Sequence, residues 1–547
     1  MSKFKAAVKD RAIEKNTNIL KKFASNFHVN QKSKKSYDDY SSLPVNDNFI
    51  FYESFLGLGI LDSPRALFNY LLDYSETSHY THVWAIDDIK NTSDNLKEYS
   101  EYSNIILVEK GSADYYKYLA TCKYLITNSY FDYYFEKRSE QVYINTCCGI
   151  PFKHVGYDNI SQPIEGTTDL VRNFLMADYL ISANRFMTET LYKHAFRLDG
   201  VYQGKILELG YPRMDIILNS NTTVVWKRLE NAGFDVNRKI ILYAPTWRGK
   251  TDDIDYGIAE LKRAVKKMAE GINKDRYQIC LKVHYYLYKA LSDDLDLKNV
   301  LIPFSIDTGE LLSVTDILVT DYSAIFYDFL ITDRPVLFYL PDYKEYKQNR
   351  GLYVSAKNLP GYATSDIEMV AASLNAICQD SKQYMDFYSD NYKLMKEKSL
   401  QNSDGHSCRR IVDGIFKYKN MPVAINTLKN YKTQKLVIVD INTANSDFYD
   451  ELNEYLDSVN YLSSDVTILV SAYSDDYNRK YFNALSRKLR ILIWNKLPYK
   501  IKLTDASMIR EVKRCIGNAY FDEVKFIGSL TPYWAAFVDI VLADSLV

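Results

Sequence analysis

Short apolar runs alternate with amphipathic stretches along most of the chain, which predicts parallel β-strands covered by helices. The clearest unit spans residues 315–340. Its apolar residues 317–319 predict a strand, and the polar turn 320–323 leads into apolar positions at helical spacing up to residue 330. A second strand is predicted at 336–340. Further strands are predicted at 46–56, 82–86, 104–108, 124–127, 239–247 and 278–284, and helices from Asp62, over 114–121, over 256–268 and within 168–196.

This pattern divides the chain into four parts and predicts an α/β fold. The parts are a basic amphipathic segment at 1–45, Rossmann-like domains at 46–215 and 216–425, and a smaller α/β unit at 430–547 with strands at 435–441, 465–473 and 489–497. The 547 residues are 47% hydrophobic, which is enough to build several cores. Polar strand ends in both large domains imply a cleft between them.

Charge and cysteine content exclude several classes of protein. Lys and Arg number 68 against 69 Asp and Glu, so no overall positive field attracts nucleic acid. Seven scattered cysteines show neither a disulfide framework nor paired metal-ligand spacing, which indicates a reducing cytoplasm. The expectation therefore includes no metal ion and no cofactor. The N-terminal residues lack the apolar core of a signal peptide, and no apolar run is long enough to span a bilayer.

The N-terminal segment has a strong local charge. Residues 1–36 carry ten Lys and Arg against two acidic residues, Asp10 and Glu14, and a partial apolar stripe accompanies them. A basic helix of this kind lies on an anionic membrane surface, or it packs on the body of the protein through the same stripe. Both interpretations are open.

The polar turn at 320–323 also suits two roles. Thr320, Asp321 and Ser323 are residue types that cap a helix, and capping is the preferred interpretation of this stretch alone. The alternative is phosphate binding, because open α/β sheets bind ligands at the carboxyl ends of strands and a helix N-terminus offers free N–H groups.

Several motifs along the chain occur in an order that resembles one enzyme family. They are FYESFLG with DSPRALFNYL, ITNSYFDYYFEKR with YINTCCGIPFKHVGYD, ELGYPRMD, ILYAPTWRG, LKVHYY, TDILVTDYSAIFYDF and YKEYKQNRGLY. Residues 50–420 thereby resemble the CDP-glycerol glycerophosphotransferases, the primases and polymerases of teichoic acids and related capsules. The resemblance implies a GT-B-like pair of Rossmann-like domains, the first on the acceptor side and the second binding the CDP donor.

The resemblance also implies roles for individual residues. His284 and Arg248 would face the pyrophosphate of CDP-glycerol. Asp321 and Ser323 would hold the donor at the helix N-terminus, and Arg350 is a further candidate for the donor site. A lone histidine closing a strand is otherwise a buried structural residue, which is the alternative for His284. The implied reaction passes glycerol phosphate to a hydroxyl of a lipid-linked acceptor and releases CMP, which depends on positioning and charge stabilisation.

One motif departs from the family. Where the family reads approximately W-H-G-T-P, with the histidine as the base for the attacking hydroxyl, this chain has Cys148 in the histidine position. A free thiol has a pKa of about 8.5 against about 6.5 for imidazole, so it is mostly protonated at pH 7. Three interpretations remain open. Cys148 is a thiolate tuned by Lys153, His154 takes over as the base, or the domain is catalytically weak.

These observations lead to one main hypothesis and two alternatives. The main hypothesis is a peripheral transferase on the cytoplasmic face of the cell membrane, bound there through its basic arm, that uses CDP-glycerol in cell-wall or capsule polymer synthesis. The alternatives are an inactive binding or scaffold subunit, and a transferase that uses CDP-ribitol or a nucleotide sugar. Expected partners are the CDP-polyol, the lipid-linked acceptor and a second copy or another subunit of the synthesis complex. Residues 509–534 resemble the start of a glycosyltransferase region fused behind this domain in some relatives, so 430–547 is interpreted as a remnant or docking module.

Overall fold

The computed structural model describes most of the chain in three connected parts. The described residues are 37–89, 96, 99, 101–147, 149–246, 254–292, 294–417, 425–426, 428, 430–441, 448–473, 475–494 and 505–544. The predicted basic arm at 1–36 and two predicted site residues, Cys148 and Arg248, lie outside the described residues. No helix among the described residues is long and apolar enough to cross a membrane.

The first domain is built on an eight-stranded sheet with the order β13-β7-β6-β5-β4-β1-β2-β3. Its strands are β1 Asn46–Glu53, β2 Thr81–Ile86, β3 Ile105–Glu109, β4 Cys122–Thr127, β5 Val142–Asn145, β6 Tyr179–Ser182, β7 Lys205–Glu208 and β13 Ile425–Asn426. Strands β1 to β7 are parallel, and β13 joins β7 antiparallel from beyond the second domain. The order of the parallel strands is that of a Rossmann sheet, as predicted.

The second domain has a five-stranded parallel sheet with the order β12-β11-β10-β8-β9. Its strands are β8 Lys239–Ala244, β9 Tyr277–Leu281, β10 Thr315–Thr320, β11 Val336–Tyr339 and β12 Ala363–Thr364. The strand order reverses between β8 and β10, which makes the carboxyl ends of these two strands the expected ligand crevice.

Helices cover the faces of both sheets. In the first domain they are Asp62–Asp73, Ala113–Thr121, Glu165–Met176 and the turn Arg185–Met187, which continues as a π-helix over Thr188–Ala195. In the second domain they are Pro212–Asn219, Thr222–Asn231, Ile254–Glu270, Tyr285–Leu291, Thr308–Val314, Ile325–Phe329, Tyr343–Asn349, Ile367–Gln379, Ser381–Phe387, Ser389–Ser399 and Ser407–Ile415. The two domains form the predicted GT-B-like pair, and one hydrophobic cluster runs from the first into the second.

Some predicted boundaries differ from the structure. The strand predicted at 46–56 ends at Glu53, because Phe55, Leu56 and Gly57 have left-handed backbones that no strand adopts. The strand predicted to reach His284 ends at Leu281. Strand β6 lies inside a stretch predicted as helix-rich, since a four-residue apolar run cannot be told from a helix by its periodicity.

The C-terminal unit is a four-stranded parallel sheet with the order β16-β15-β14-β17. Its strands are β14 Thr433–Val439, β15 Ser464–Ser471, β16 Arg490–Trp494 and β17 Glu523–Ile527, and its helices are Phe448–Ser458, Asp476–Leu485, Asp505–Ile516 and Pro532–Asp544. The unit has a core of its own, and it packs on the first domain. There, the Tyr157 hydroxyl donates to the carbonyl of Ile491 at 2.5 Å.

Candidate functional site

The carboxyl edge of the second sheet gathers the polar residues that follow three adjacent strands. His284 follows β9, Thr246 follows β8, and Asp321 follows β10, and these strands are neighbours in that order. The β8–β10 boundary is the point where the strand order reverses. The edge predicted to hold the donor is therefore where the topology of the sheet favours a ligand.

Asp321 is buried and holds the segment that follows β8. Its Oδ1 accepts hydrogen bonds from the backbone N–H of Thr246 at 2.8 Å and from the Thr246 hydroxyl at 2.7 Å. These bonds fix the position of Thr246, two residues after the end of β8. The sequence analysis missed Thr246, because it placed this residue inside a strand predicted over 239–247, whereas β8 ends at Ala244.

Neighbours of Asp321 in the 320–323 turn act on different elements. The Thr320 hydroxyl donates to the carbonyl of Ala244 at 2.7 Å, so it ties β10 to β8 and does not cap the helix. Ser323 Oγ accepts from the Ile325 N–H at 3.4 Å, but the N-cap position of the helix is Ala324, one residue later than the predicted capping residues. That helix starts at Ile325 and ends at Phe329, and is shorter than predicted.

Tyr322 links the same turn to the helix that ends before Arg350. Its ring stacks on Tyr346 with the centroids 3.6 Å apart, and its hydroxyl donates to Asp342 Oδ1 at 3.0 Å. Arg350 follows this helix, and its Nε donates to the carbonyl of His154 in the first domain at 3.2 Å. The turn at β10 and the first domain are thus connected through one short helix.

His284 lies at the start of the helix Tyr285–Leu291, where its carbonyl accepts from Leu287 N–H and Tyr288 N–H. The side chain is exposed by its accessible surface, although protein atoms surround much of it. Burial lowers the pKa of His284 below its ordinary value, and the ammonium of Lys153 from the first domain lowers it further. The ring is therefore largely neutral near pH 7, and Lys153 lies close enough to act on it electrostatically.

Lys153 and His154 belong to a short strand pairing between the two domains. Lys153 is bridged antiparallel to Leu352, and the His154 N–H donates to the carbonyl of Gly351 at 3.1 Å. The His154 ring packs against the α-carbon of Gly351 and lies 4.5 Å from the ring of Tyr353, measured between centroids. His154 thus packs between the domains.

The first-domain turn that carries position 148 follows β5. Cys147 has a left-handed backbone, with φ of 53°, and its N–H donates to Asn145 Oδ1 at 2.9 Å. Gly149 has φ of 135°. The hydroxyl of Tyr211 contacts the carbonyl oxygens of Thr146 and Cys147, at 2.9 and 3.0 Å. These bonds fix the chain on either side of position 148.

The structure brings most of the predicted site residues together. Lys153, His154, His284 and Arg350 meet where the domains face each other, and Asp321 and Ser323 occupy the adjacent edge of the second sheet. Lys153 near a neutral imidazole, with Arg350 bonded to the neighbouring His154 carbonyl, would suit a pyrophosphate, whose charge the two cations would offset. Among the described residues, no group of three or more His, Cys, Asp or Glu is placed to hold a metal ion.

Comparison with known proteins gives one consistent family. Residues 37–417 match the family model described as CDP-Glycerol:Poly(glycerophosphate) glycerophosphotransferase. The teichoic acid poly(glycerol phosphate) polymerase of Bacillus spizizenii is 31% identical over 391 residues, which cover 68% of this chain and 92% of that protein. The enzyme of the same name from Staphylococcus epidermidis is 31% identical over 358 residues, 62% of this chain and 47% of that longer protein.

Solved structures agree with the sequence relatives. The wall teichoic acid polymerase TagF superposes with a TM-score of 0.59 at 27% identity, covering 75% of this chain and 98% of that one. A variant of TagF soaked with CDPG superposes with a TM-score of 0.58, covering 71% of this chain and 93% of that one. The chain belongs to the CDP-glycerol:poly(glycerophosphate) glycerophosphotransferase family.

Proposed function

We propose that this transferase moves glycerol phosphate from CDP-glycerol to a hydroxyl of a lipid-linked acceptor in teichoic acid synthesis. The observation that carries the proposal is that Lys153 of the first domain lies close enough to His284 to lower its pKa, beside the switch point of the second sheet. Family membership supports the reaction, and the TagF variant soaked with CDPG supports the donor class.

In this proposal the donor lies at the carboxyl edge of the second sheet. Ser323, Arg350 and Arg248 contact its phosphates, and His284 faces the pyrophosphate from the end of β9. Asp321 acts indirectly. Its Oδ1 accepts two hydrogen bonds from Thr246 and thereby orients the residues that precede Arg248 in the sequence. Lys153 supplies a positive charge from the acceptor side.

The transfer is a displacement at the phosphorus atom that carries glycerol. The acceptor hydroxyl oxygen forms the new P–O bond, the bond from that phosphorus to the oxygen bridging to CMP breaks, and CMP leaves with the electron pair. The hydroxyl proton passes to a base. Cys148 and the neutral His284 are the two candidates, whereas packing against Gly351 and Tyr353 argues against the His154 ring in this role.

The direct test is CMP release from CDP-glycerol in the presence of a lipid-linked acceptor analogue. Loss of a general base removes about 10²- to 10⁴-fold in rate, so His284→Asn and Cys148→Ala are each compared with the natural protein. His79→Asn is the matched control, because His79 is an exposed histidine of the first domain. Absence of CMP release from the natural protein with any polyol-phosphate acceptor would refute the proposed turnover.

A second candidate function follows from Cys148. A thiol in place of the family's histidine favours a binding or scaffold subunit with little turnover, or a transferase with a different donor. Cys148→His distinguishes the first case, because it restores CMP release only if both substrate sites are intact. Thermal shift with CDP-glycerol, CDP-ribitol and UDP-sugars distinguishes the second case, since the true donor stabilises the folded protein.

We also propose that the protein works at the cytoplasmic face of the membrane, where a lipid-linked acceptor lies. The support is the charge of residues 1–36. Co-sedimentation with vesicles containing anionic lipid tests this, using the full chain and a variant that lacks residues 1–36. Equal binding by the two proteins would contradict attachment through the arm.

A further inference from the structure

The turn that flanks position 148, formed by residues 146, 147 and 149, is held by a segment that joins the two large domains. The hydroxyl of Tyr211 contacts the carbonyl oxygens of Thr146 and Cys147. Arg213 lies against Gly149, because a β-carbon built on this glycine would lie 2.5 Å from the Nη2 atom of Arg213 and 3.2 Å from its Cζ. Both residues belong to the ELGYPRMD motif, for which the sequence analysis proposed no role in the site.

Arg213 also connects the two domains. Its Nη1 lies 3.1 Å from Asp62 Oδ2 at the start of a first-domain helix, and its Nη2 lies 2.7 Å from Asp328 Oδ2 in the second domain. All three side chains are largely buried. The backbone N–H of Asp62, itself left-handed, donates to Asp307 of the second domain at 3.0 Å. Contact with Gly149 is therefore made by the same guanidinium that joins the domains.

We propose that Tyr211 and Arg213 are positioning residues that hold residues 146, 147 and 149, on either side of position 148, in the conformation required for transfer, and that this conformation depends on the contact between the domains. The proposal rests on the proposed function only for its effect on turnover. Neither side chain is assigned to touch a substrate. The turn is one of the places where acceptor and donor must be aligned, since it contains position 148.

The local backbone explains why the turn requires support. Cys147 is a non-glycine residue with φ of 53°, and such a conformation persists only where surrounding groups over-determine it. Three hydrogen bonds do so here: the N–H of Cys147 donates to Asn145, and the Tyr211 hydroxyl joins the two carbonyls. A glycine at 149 leaves the space that the guanidinium fills.

The charge on Arg213 argues that its role is positional. Two carboxylates, Asp62 and Asp328, accept from the guanidinium, so the three groups together carry no net positive charge to offer a phosphate. A planar guanidinium can bond both carboxylates while its face or edge packs on Gly149, whereas a lysine ammonium offers one point of charge. Misplacement of a reacting group by about 1 Å costs on the order of 10²-fold in rate.

The test compares Tyr211→Phe and Arg213→Lys with Arg65→Lys. Arg65 is the matched control, because it is also a buried arginine that pairs across the domains, with Glu310 at 2.9 Å, and its Nε donates to the Tyr99 hydroxyl at 3.3 Å. We expect Tyr211→Phe and Arg213→Lys to lower kcat for CMP release about 10- to 100-fold, with KM for CDP-glycerol changed less than about twofold. Arg65→Lys leaves kcat within about threefold.

A second readout does not need turnover. The rate of alkylation of Cys148 by iodoacetamide, followed by mass spectrometry as a function of pH, reports the surroundings of that thiol. We expect the rate or its pH midpoint to change in Tyr211→Phe and Arg213→Lys and to stay as in the natural protein in Arg65→Lys.

The outcomes separate this proposal from the proposed function. If the natural protein releases no CMP, the proposed turnover fails and the alkylation comparison still decides whether the two residues position the turn. Equal alkylation in all four proteins would overturn the proposal. So would an equal loss of kcat in Arg65→Lys, since the effect would then be a general consequence of weakening the domain contact. Tyr211→Phe removes a single oxygen atom, so it keeps the test valid even where Arg213→Lys fails to fold.

Discussion

Substitution of Gly351 by alanine tests the contact between the two domains most directly. Gly351 has φ of 83°, a left-handed conformation, and a β-carbon built on it would lie 2.1 Å from Nδ1 of His154. That distance is far inside van der Waals contact, so the imidazole would have to leave. On either side, the backbone bonds from His154 N–H to Gly351 and from Tyr353 N–H to Phe152 keep the two segments together.

The expected cost has two parts. A left-handed alanine costs about 1–2 kcal/mol in backbone conformation. Displacing the imidazole removes its packing against the Tyr353 ring 4.5 Å away, worth about 0.5–1.5 kcal/mol for a ring pair. Gly351→Ala should therefore destabilise the protein by about 2–3 kcal/mol, which lowers the unfolding midpoint of a domain of this size by roughly 4–12 °C.

A double variant separates the two parts. His154→Ala alone loses only the ring packing, so Gly351→Ala combined with His154→Ala should be about as stable as Gly351→Ala by itself. Thermal unfolding followed by intrinsic fluorescence measures all three proteins, and Gly166→Ala serves as the control. A β-carbon at Gly166 meets no atom within 4 Å, and its helical position makes alanine neutral or favourable by up to about 1 kcal/mol. Full additivity in the double variant would refute the packing argument.

Three further predictions concern buried charge and protonation. Arg514→Met leaves the buried carboxylate of Glu511 without its cation, which should lower the free energy of unfolding by about 3–5 kcal/mol. Adding Glu511→Gln should recover part of that stability in thermal unfolding. No recovery would contradict the pairing. Burial lowers the pKa of His82 to about 4, so acidification from pH 6.5 to 4 protonates the unfolded chain first and should remove about 3 kcal/mol of stability in urea unfolding. His82→Leu should lose correspondingly less over that pH window, and an unchanged loss would exclude His82 as the cause. Lys153→Met should raise the pKa of His284 and so move the acid limb of kcat/KM for CMP release to higher pH, whereas an unmoved limb would show that His284 does not titrate in that profile.

The strands and helices that were predicted from local patterns of apolar and polar residues agree with the structure. Strands β8 and β10 are continuous apolar runs, as expected of strands buried on both faces, and the switch from strand to helix after each is marked by polar residues. Strand β6 was missed because tertiary position, and not composition, makes its four residues a strand. The end of β9 was placed too far along because apolar Val283 continues the pattern after the pairing has ended.

Prediction of the site was limited by contacts between residues distant in the chain. His284 and Asp321 were identifiable, since each follows a predicted strand in a sheet that binds ligands at that edge. The approach of Lys153 to His284 depends on how two domains pack, and no spacing within either motif encodes it. Similarly, the sequence analysis gave Thr320, Asp321 and Ser323 one shared role, either capping a helix or binding phosphate. In the structure Asp321 instead accepts a hydrogen bond from Thr246, which follows β8.

The C-terminal unit shows how a boundary drawn from motifs differs from one drawn from packing. The family match ends at residue 417, yet β13 at Ile425–Asn426 completes the edge of the first sheet beside β7. Beyond it, the guanidinium of Arg514 is almost fully buried between Asp38, which precedes the first domain, and the carbonyl of Tyr134 within that domain. A buried ion leaves water at a large cost unless its partners stay in place, so these contacts require the first domain and the C-terminal unit to fold against each other. If residues 430–547 are a docking module, one of the surfaces on which they dock is therefore the first domain of the same chain.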